Sequence, residues 1–178
     1  MQLGQTTPLP PAETDAILDI FHRDGFAVVR NVLSADECAA LRALTDRYAA
    51  DPAFDESRST WFVVRNPQDY DRAFTQLFIR EPIYSLVKKV LGPECRFCGQ
   101  NVIRNQPGQA ISNWHVDDCN KLEHPLPPEI PRWPAGARLP LLWLSVQVPL
   151  SDITAVVDGP TEIVAGSHYS GRLCPGEN

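Results

Sequence analysis

The sequence has no apolar stretch long enough to cross a bilayer and no excess of basic residues. Its longest mostly apolar run, residues 139–150, falls well short of the ~20 residues that a membrane-spanning helix needs. Lys and Arg total 16 against 22 Asp and Glu, which gives a formal net charge of −6. Nucleic-acid-binding domains usually carry a basic patch. The composition therefore predicts neither a membrane partner nor a nucleic-acid partner.

The sequence also lacks the features of a secreted protein. Residues 1–11 are polar and proline-containing, without a basic start or an apolar core, so they do not resemble a secretory signal and we expect a flexible leader there. The five cysteines are an odd number, which does not indicate a disulfide framework. Cys95 and Cys98 would supply only two of the four ligands of a structural zinc site, so we interpret them as ordinary strand residues. These features predict reduced thiols and a cytoplasmic protein.

Proline is the residue type in excess. It accounts for 17 of the 178 residues, nearly twice the ~5 % of an average protein. Because proline interrupts helices, this count disfavours a helical bundle and favours a loop-rich or β-rich fold. The length fits one domain. Helix signals come first and strand signals follow, which predicts an α+β protein whose sheet is mainly antiparallel.

Local signals place the predicted elements along the chain. Thr14 is a plausible N-cap for a first helix that Gly25 would end. Ser34 and Glu37 form a capping box that would open a second helix. The predicted helices cover residues 15–24, 35–50, 69–79 and 83–91. The predicted strands cover residues 26–30, 61–65, 96–104, 141–148 and 163–165. Turns are predicted at residues 106–109 and 166–168.

Residues 113–118 contain the pattern most indicative of chemistry. His115 and Asp117 are separated by one residue, so on an extended strand their side chains point to the same face. An imidazole nitrogen and a carboxylate oxygen on one face could bind the same metal ion. They would form two-thirds of the two-His, one-carboxylate triad of non-heme Fe(II) oxygenases. The pattern is short, and a surface-loop histidine beside two aspartates is the alternative interpretation.

The predicted strand at residues 141–148 supports the metal interpretation because its two faces differ. Trp143, Ser145 and Gln147 lie on one face, and apolar residues occupy the other. The apolar face suits a hydrophobic core, whereas the polar and aromatic face suits the lining of a pocket. The pattern therefore favours a binding pocket on the polar face.

Three segments resemble the phytanoyl-CoA dioxygenase family of Fe(II)- and 2-oxoglutarate-dependent oxygenases. Residues 21–30, FHRDGFAVVR, with the capped helix that follows, resemble the family's opening helix, strand and helix. Residues 114–117, WHVD, resemble its metal-binding His-x-Asp. Residues 158–168, DGPTEIVAGSH, resemble its Asn-Gly-Pro…Pro-Gly-Ser-His segment. The three segments in this order indicate the family more specifically than any one of them does alone.

The resemblance implies a double-stranded β-helix, a cupin-like jelly roll, with N-terminal helices packed outside it. It implies Fe(II) bound by His115 and Asp117, with 2-oxoglutarate and O₂ as cosubstrates. The implied reaction is hydroxylation of a small molecule or acyl substrate at an unactivated C–H bond. Halogenating relatives typically lack the carboxylate ligand, so Asp117 favours hydroxylation. Arg104, Trp143 and Gln147 are candidates for binding 2-oxoglutarate, with a surface role as the alternative for Arg104.

The sequence departs from the family pattern after its Gly-Ser-His turn. In the family a distal histidine ligand and an arginine that binds 2-oxoglutarate lie on later strands, and here no histidine follows His168. We therefore expect residues 12–178 to be the N-terminal portion of one such domain, whose open sheet edges favour self-association. His168 is either a turn residue or the third metal ligand. The alternatives to an active dioxygenase are an inactive jelly-roll fragment and a small cupin-like protein that binds metal through His115, Asp117 and His168.

Overall fold

A computed structural model describes residues 2–54, 61–108, 114–115, 129–130, 134 and 141–170. Its helices are α1 (Pro11–Asp24), α2 (Ala35–Ala50), α3 (Arg72–Phe78) and α4 (Ile83–Leu91). Its strands are β1 (Trp61–Arg65) and β2 (Asn101–Asn105), which form one antiparallel pair with Val63 opposite Ile103. Single 3₁₀ turns lie at Pro52–Phe54, Pro67–Asp69, Val156–Asp158 and Ser167–Tyr169.

The α+β class is confirmed in these ranges, but β structure does not predominate there. Helices account for more of the described residues than the two strands do. The jelly roll is likewise not found in the described ranges, whose sheet has two strands. None of the helices in this part of the chain is long and apolar enough to cross a membrane.

Helix α1 begins earlier than predicted and ends where predicted. It starts at Pro11 and not after Thr14, whose amide already donates to the Pro10 carbonyl at 3.0 Å. A proline is favourable at the first helical position because an amide hydrogen there would have no helical partner. The helix ends at Gly25, which adopts a φ of 86° and donates its amide to the Phe21 carbonyl at 2.8 Å. The left-handed conformation explains why glycine occupies this position.

The predicted capping box opens α2. The Glu37 amide donates to Ser34 Oγ at 3.2 Å, and the Ser34 amide donates to Glu37 Oε2 at 2.8 Å. Two amides that would otherwise lack partners are thereby satisfied. The helix then buries Leu41 and Leu44, as the apolar spacing predicts.

Replacing Ser34 by Ala is expected to lower the free energy of unfolding by about 1 kcal/mol, because the Glu37 amide loses its acceptor. Urea unfolding followed by far-UV circular dichroism measures this change. Ser151→Ala, at an exposed position outside any helix, is the matched control and should change stability little. Equal losses for the two variants would contradict a stabilising role for the cap.

The hydrophobic core lies between α2, α3 and the N-terminal segment. Its buried members are Leu41 and Leu44 of α2, Ala73 and Phe74 of α3, and Leu3. Leu3 is 5 % exposed and donates its amide to Gln76 Oε1 at 2.8 Å. The segment expected to be a flexible leader therefore contributes to the core. No periodic apolar pattern in residues 1–11 could have indicated this contact.

Of the predicted strands, only those that pair with a neighbouring strand are formed in the described ranges. Residues 61–65 form β1 as predicted, and the strand predicted at residues 96–104 begins later, at Asn101. The strands predicted at residues 26–30, 141–148 and 163–165 are not formed, since no described strand pairs with them. A strand requires the amides and carbonyls of a neighbour, which local sequence does not supply. The end of the 141–150 segment is nevertheless held, because the Arg42 guanidinium of α2 donates to the Leu150 carbonyl.

Candidate metal and cosubstrate site

The structure describes one of the two predicted metal ligands. Trp114 and His115 are both exposed, with half of the Trp114 surface open to solvent. Asp117 lies outside the described residues, so its position relative to His115 stays a prediction. Within the described ranges, no group of three or more His, Cys, Asp or Glu side chains is arranged to hold a metal ion.

Arg104 lies on β2 opposite Phe62 and forms an ion pair with α2. Its Nε is 3.2 Å from Asp46 Oδ1, and the two side chains are 43 % and 62 % exposed. An exposed pair of this kind contributes little to stability. The contact fits the surface role that the sequence left open for Arg104, and it links the sheet to the helical layer.

Gln147 and the Asp-Gly-Pro-Thr segment, which lie 11 or more residues apart in the sequence, are in contact in the structure. Thr161 Oγ1 donates to Gln147 Oε1 at 2.7 Å. The hydrogen bond assigns the carbonyl end of the amide to Thr161, so the NH₂ end is left as a donor. Trp143, the other candidate on this face, is half-buried.

Asp158 fixes the turn that precedes this contact. Its Oδ2 accepts hydrogen bonds from the Thr154 amide at 2.7 Å, the Ala155 amide at 2.8 Å and Thr154 Oγ1 at 3.0 Å. Hydrogen bonds to the ionised form, first of all the one from the Thr154 amide, lower the pKa of Asp158 below its usual range. The turn presents Val157 with 92 % of its surface exposed.

His168 lies against the C-terminal end of α1. Its Nε2 is 3.1 Å from the His22 carbonyl oxygen. Its Nδ1 is buried without a hydrogen-bond partner, and the ring packs on Tyr169 with the centroids 3.9 Å apart. His168 thus lies in the Ser167–Tyr169 turn with one nitrogen hydrogen-bonded and the other enclosed, and its role as a metal ligand stays a prediction.

Arg80 and Glu37 form an ion pair that no local sequence pattern indicates. Arg80 is 7 % exposed and donates from Nη2 to Glu37 Oε2 at 2.9 Å, from Nε to the Val32 carbonyl at 2.7 Å and from Nη1 to the Gly4 carbonyl at 3.0 Å. Glu37 Oε1 in turn accepts the Gly4 amide at 2.7 Å. The pair joins the N-terminal segment, the start of α2 and the segment between α3 and α4. Glu37 was recognised only as a cap, and no local pattern indicated Arg80.

The two cysteines of the Cys-x-x-Cys pattern are free thiols. Cys95 is half-buried and Cys98 is exposed. Neither belongs to a group of metal-binding side chains in the described ranges. The strand predicted to contain them begins after Cys98, so their placement on a strand was wrong.

Comparison with known proteins identifies the family. The family model described as phytanoyl-CoA dioxygenase (PhyH) matches residues 21–175, and the chain belongs to this family. An ectoine dioxygenase from Sphingopyxis alaskensis (strain DSM 13593 / LMG 18877 / RB2256) is 26 % identical over an alignment of 177 residues that covers 88 % of this chain and 50 % of that protein. The chain thus spans about half the length of this curated relative. No solved structure matches it. The resemblance drawn from the three motifs is confirmed.

Proposed function

We propose that this chain supplies His115 and Asp117 to the Fe(II) site of a 2-oxoglutarate-dependent dioxygenase that hydroxylates a small molecule or acyl substrate. The observation that carries the proposal is the family match over residues 21–175, which includes the Trp-His-Val-Asp segment. The donor set also fits. An imidazole nitrogen and a carboxylate oxygen, with positions left open for cosubstrates, are the ligands that non-heme Fe(II) takes in such oxygenases.

The chain's own residues would bind and orient the reactants. Bound Fe(II) with 2-oxoglutarate and O₂ would supply the oxidising power: 2-oxoglutarate would lose CO₂ and take one oxygen atom as succinate, and the other oxygen atom would be left for the substrate C–H bond. The NH₂ group of Gln147 would donate to a carboxylate of 2-oxoglutarate, and Thr161 would hold that amide in the required orientation. Trp143 would form an apolar wall that limits access of water. Arg104 is less suited to this role because it is already paired with Asp46.

The jelly roll belongs to the same proposal. We infer that residues 141–148 and 163–165 become strands when neighbouring strands pair with them. The exposed apolar side chains of Leu142 (66 %), Val146 (46 %) and Val164 (57 %) support this inference, because such side chains are ordinarily covered in a folded sheet. Until such pairing occurs, the same surfaces favour association between copies of the chain.

The proposed site is tested by anaerobic titration of the chain with Fe(II) and 2-oxoglutarate. A broad visible charge-transfer band is expected only when both are present, since it arises from 2-oxoglutarate chelated to Fe(II). Succinate in place of 2-oxoglutarate is the matched control, because it lacks the keto group. Absence of a band in a sample with native far-UV circular dichroism would contradict a complete site in this chain. It would favour the interpretation as an inactive jelly-roll fragment.

A further inference from the structure

The C-terminal end of α1 contacts a turn that lies more than 140 residues later in the chain. The His22 carbonyl accepts the Tyr169 hydroxyl at 2.7 Å and lies 3.1 Å from His168 Nε2. The Gly166 amide donates to the Asp24 carbonyl at 2.8 Å. These contacts join the first and the last of the three segments by which the chain resembles its family.

The contacts satisfy carbonyls that a helix cannot satisfy alone. The last four carbonyls of an α-helix have no intrahelical amide partner. In α1 the Phe21 carbonyl is taken by the Gly25 amide, whereas those of His22 and Asp24 are taken by residues 166–169. The turn therefore acts as a distant C-terminal cap. For His168 Nε2 to donate to a carbonyl, this nitrogen must carry a hydrogen.

Gly25 provides the space in which the His168 ring lies. A Cβ atom at position 25 would be 2.6 Å from His168 Nδ1, much closer than non-bonded atoms approach. The φ of 86° also disfavours any other residue. Two independent features thus require glycine: the left-handed end of α1 and the imidazole that packs on it.

We propose that the end of α1 and the turn at residues 166–169 form one structural unit, the α1 joint, in which His168 packs on Gly25. Its members are His22, Asp24, Gly25, Gly166, His168 and Tyr169. In this joint His168 is a positioning residue that attaches the Asp-Gly-Pro-Thr segment to α1. Thr161, which holds Gln147, lies five residues before Gly166. The joint therefore fixes the far end of the segment that carries Thr161. This inference goes beyond the proposed function and does not depend on iron.

A double-mutant cycle on the full chain tests the joint. Gly25→Ala is expected to lower the Tm by about 4–8 °C, through backbone strain and the clash with the imidazole. In the His168→Ala background the clash is absent, so the same substitution should lower the Tm by about half as much or less. Gly159→Ala is the matched control, because Gly159 also has a positive φ, of 70°, but has open space around it. Its effect should be the same in both backgrounds.

Two further variants separate the joint from a metal-ligand role and remain informative if Gly25→Ala does not fold. The amide NH₂ of His168→Gln can donate to the His22 carbonyl, whereas His168→Leu cannot. The α1 joint predicts that His168→Leu lowers the Tm of the metal-free chain by several degrees, whereas His168→Gln retains most of the wild-type Tm. Equal Tm values for wild type, Gln and Leu, or an identical effect of Gly25→Ala in both His168 backgrounds, would overturn the proposal.

Fe(II) affinity of the His168→Gln and His168→Leu variants separates the α1 joint from a metal-ligand role of His168. The joint predicts that His168→Gln binds Fe(II) with the wild-type affinity. A loss of Fe(II) affinity in both the Gln and the Leu variants, without a change in Tm, would identify His168 as a ligand and would refute the joint. If the wild-type chain binds no Fe(II), the proposed function fails while the Tm comparison still decides the joint.

Discussion

Replacing Arg80 by Met is expected to lower the free energy of unfolding by about 3–5 kcal/mol, because it removes one partner of a buried ion pair. Arg80 is 7 % exposed and uses all three guanidinium nitrogens as donors. Its loss leaves the carbonyls of Val32 and Gly4 without these donors and deprives the Glu37 carboxylate of its countercharge. Each lost hydrogen bond to the charged guanidinium adds to this loss.

Urea unfolding of the wild type and the Arg80→Met variant at pH 7 measures the loss of unfolding free energy. Arg23→Met is the matched control, because Arg23 also pairs with a carboxylate, Asp24, at 2.6 Å, but its side chain is 70 % exposed. Solvent screens such a pair, so this substitution should change stability little. If Arg80→Met is no more destabilising than Arg23→Met, the network around Arg80 does not stabilise the fold.

The same network predicts how stability depends on pH. Burial by itself raises the pKa of Glu37, but hydrogen bonds from the Ser34 and Gly4 amides and the charge of Arg80 outweigh it, so the pKa of Glu37 lies below its usual range. A pKa that is lower in the folded state than in the unfolded state stabilises the fold above the unfolded value. That contribution is lost as the pH falls through the folded value. The stability difference between wild type and Glu37→Gln should therefore shrink as the pH is lowered from neutral to below about 4.

The features that the sequence predicts correctly depend on residues close together in the chain. The capping box needs only Ser34 and Glu37, and the ends of α1 and α4 need only the glycines that follow them. The family was also indicated by a local pattern, the His-x-Asp motif, whose role as a metal site stays a prediction. Together with the order of the two other motifs, this motif indicated the family that the comparison confirms.

The features that were missed depend on contacts between distant residues. Leu3 reaches the core through α3, Arg80 reaches Gly4 across 76 positions, and Tyr169 reaches His22 across 147 positions. None of these pairs leaves a periodic pattern in the sequence. The strand predicted at residues 141–148 was wrong for a related reason. Alternation indicates which side chains could share a face, but only a neighbouring strand supplies hydrogen-bond partners for the backbone.

Replacing His115 by Ala is expected to abolish the 2-oxoglutarate–Fe(II) band and to weaken Fe(II) binding by about 100-fold or more, because substitutions even of groups that only orient ligands cost about 10–100-fold. Asp117→Ala should have the same effect as His115→Ala, because each substitution removes one of the two proposed ligands. Asp117→Asn separates charge from shape: the amide keeps an oxygen but loses the negative charge that attracts a divalent cation. It should bind Fe(II) more weakly than wild type and more tightly than Asp117→Ala.

The comparison with the other histidines makes this prediction specific to the motif. Anaerobic calorimetric titration with Fe(II) of the His115→Ala, His124→Ala and His168→Gln variants measures the contribution of each histidine. His124 lies outside the motif, and the His168 ring already donates to the His22 carbonyl in the assigned joint, so both variants should bind as wild type does. If His115→Ala keeps the wild-type affinity while another of these variants loses it, the metal centre does not use the His-x-Asp motif. The local pattern would then have indicated the correct family through the wrong residue.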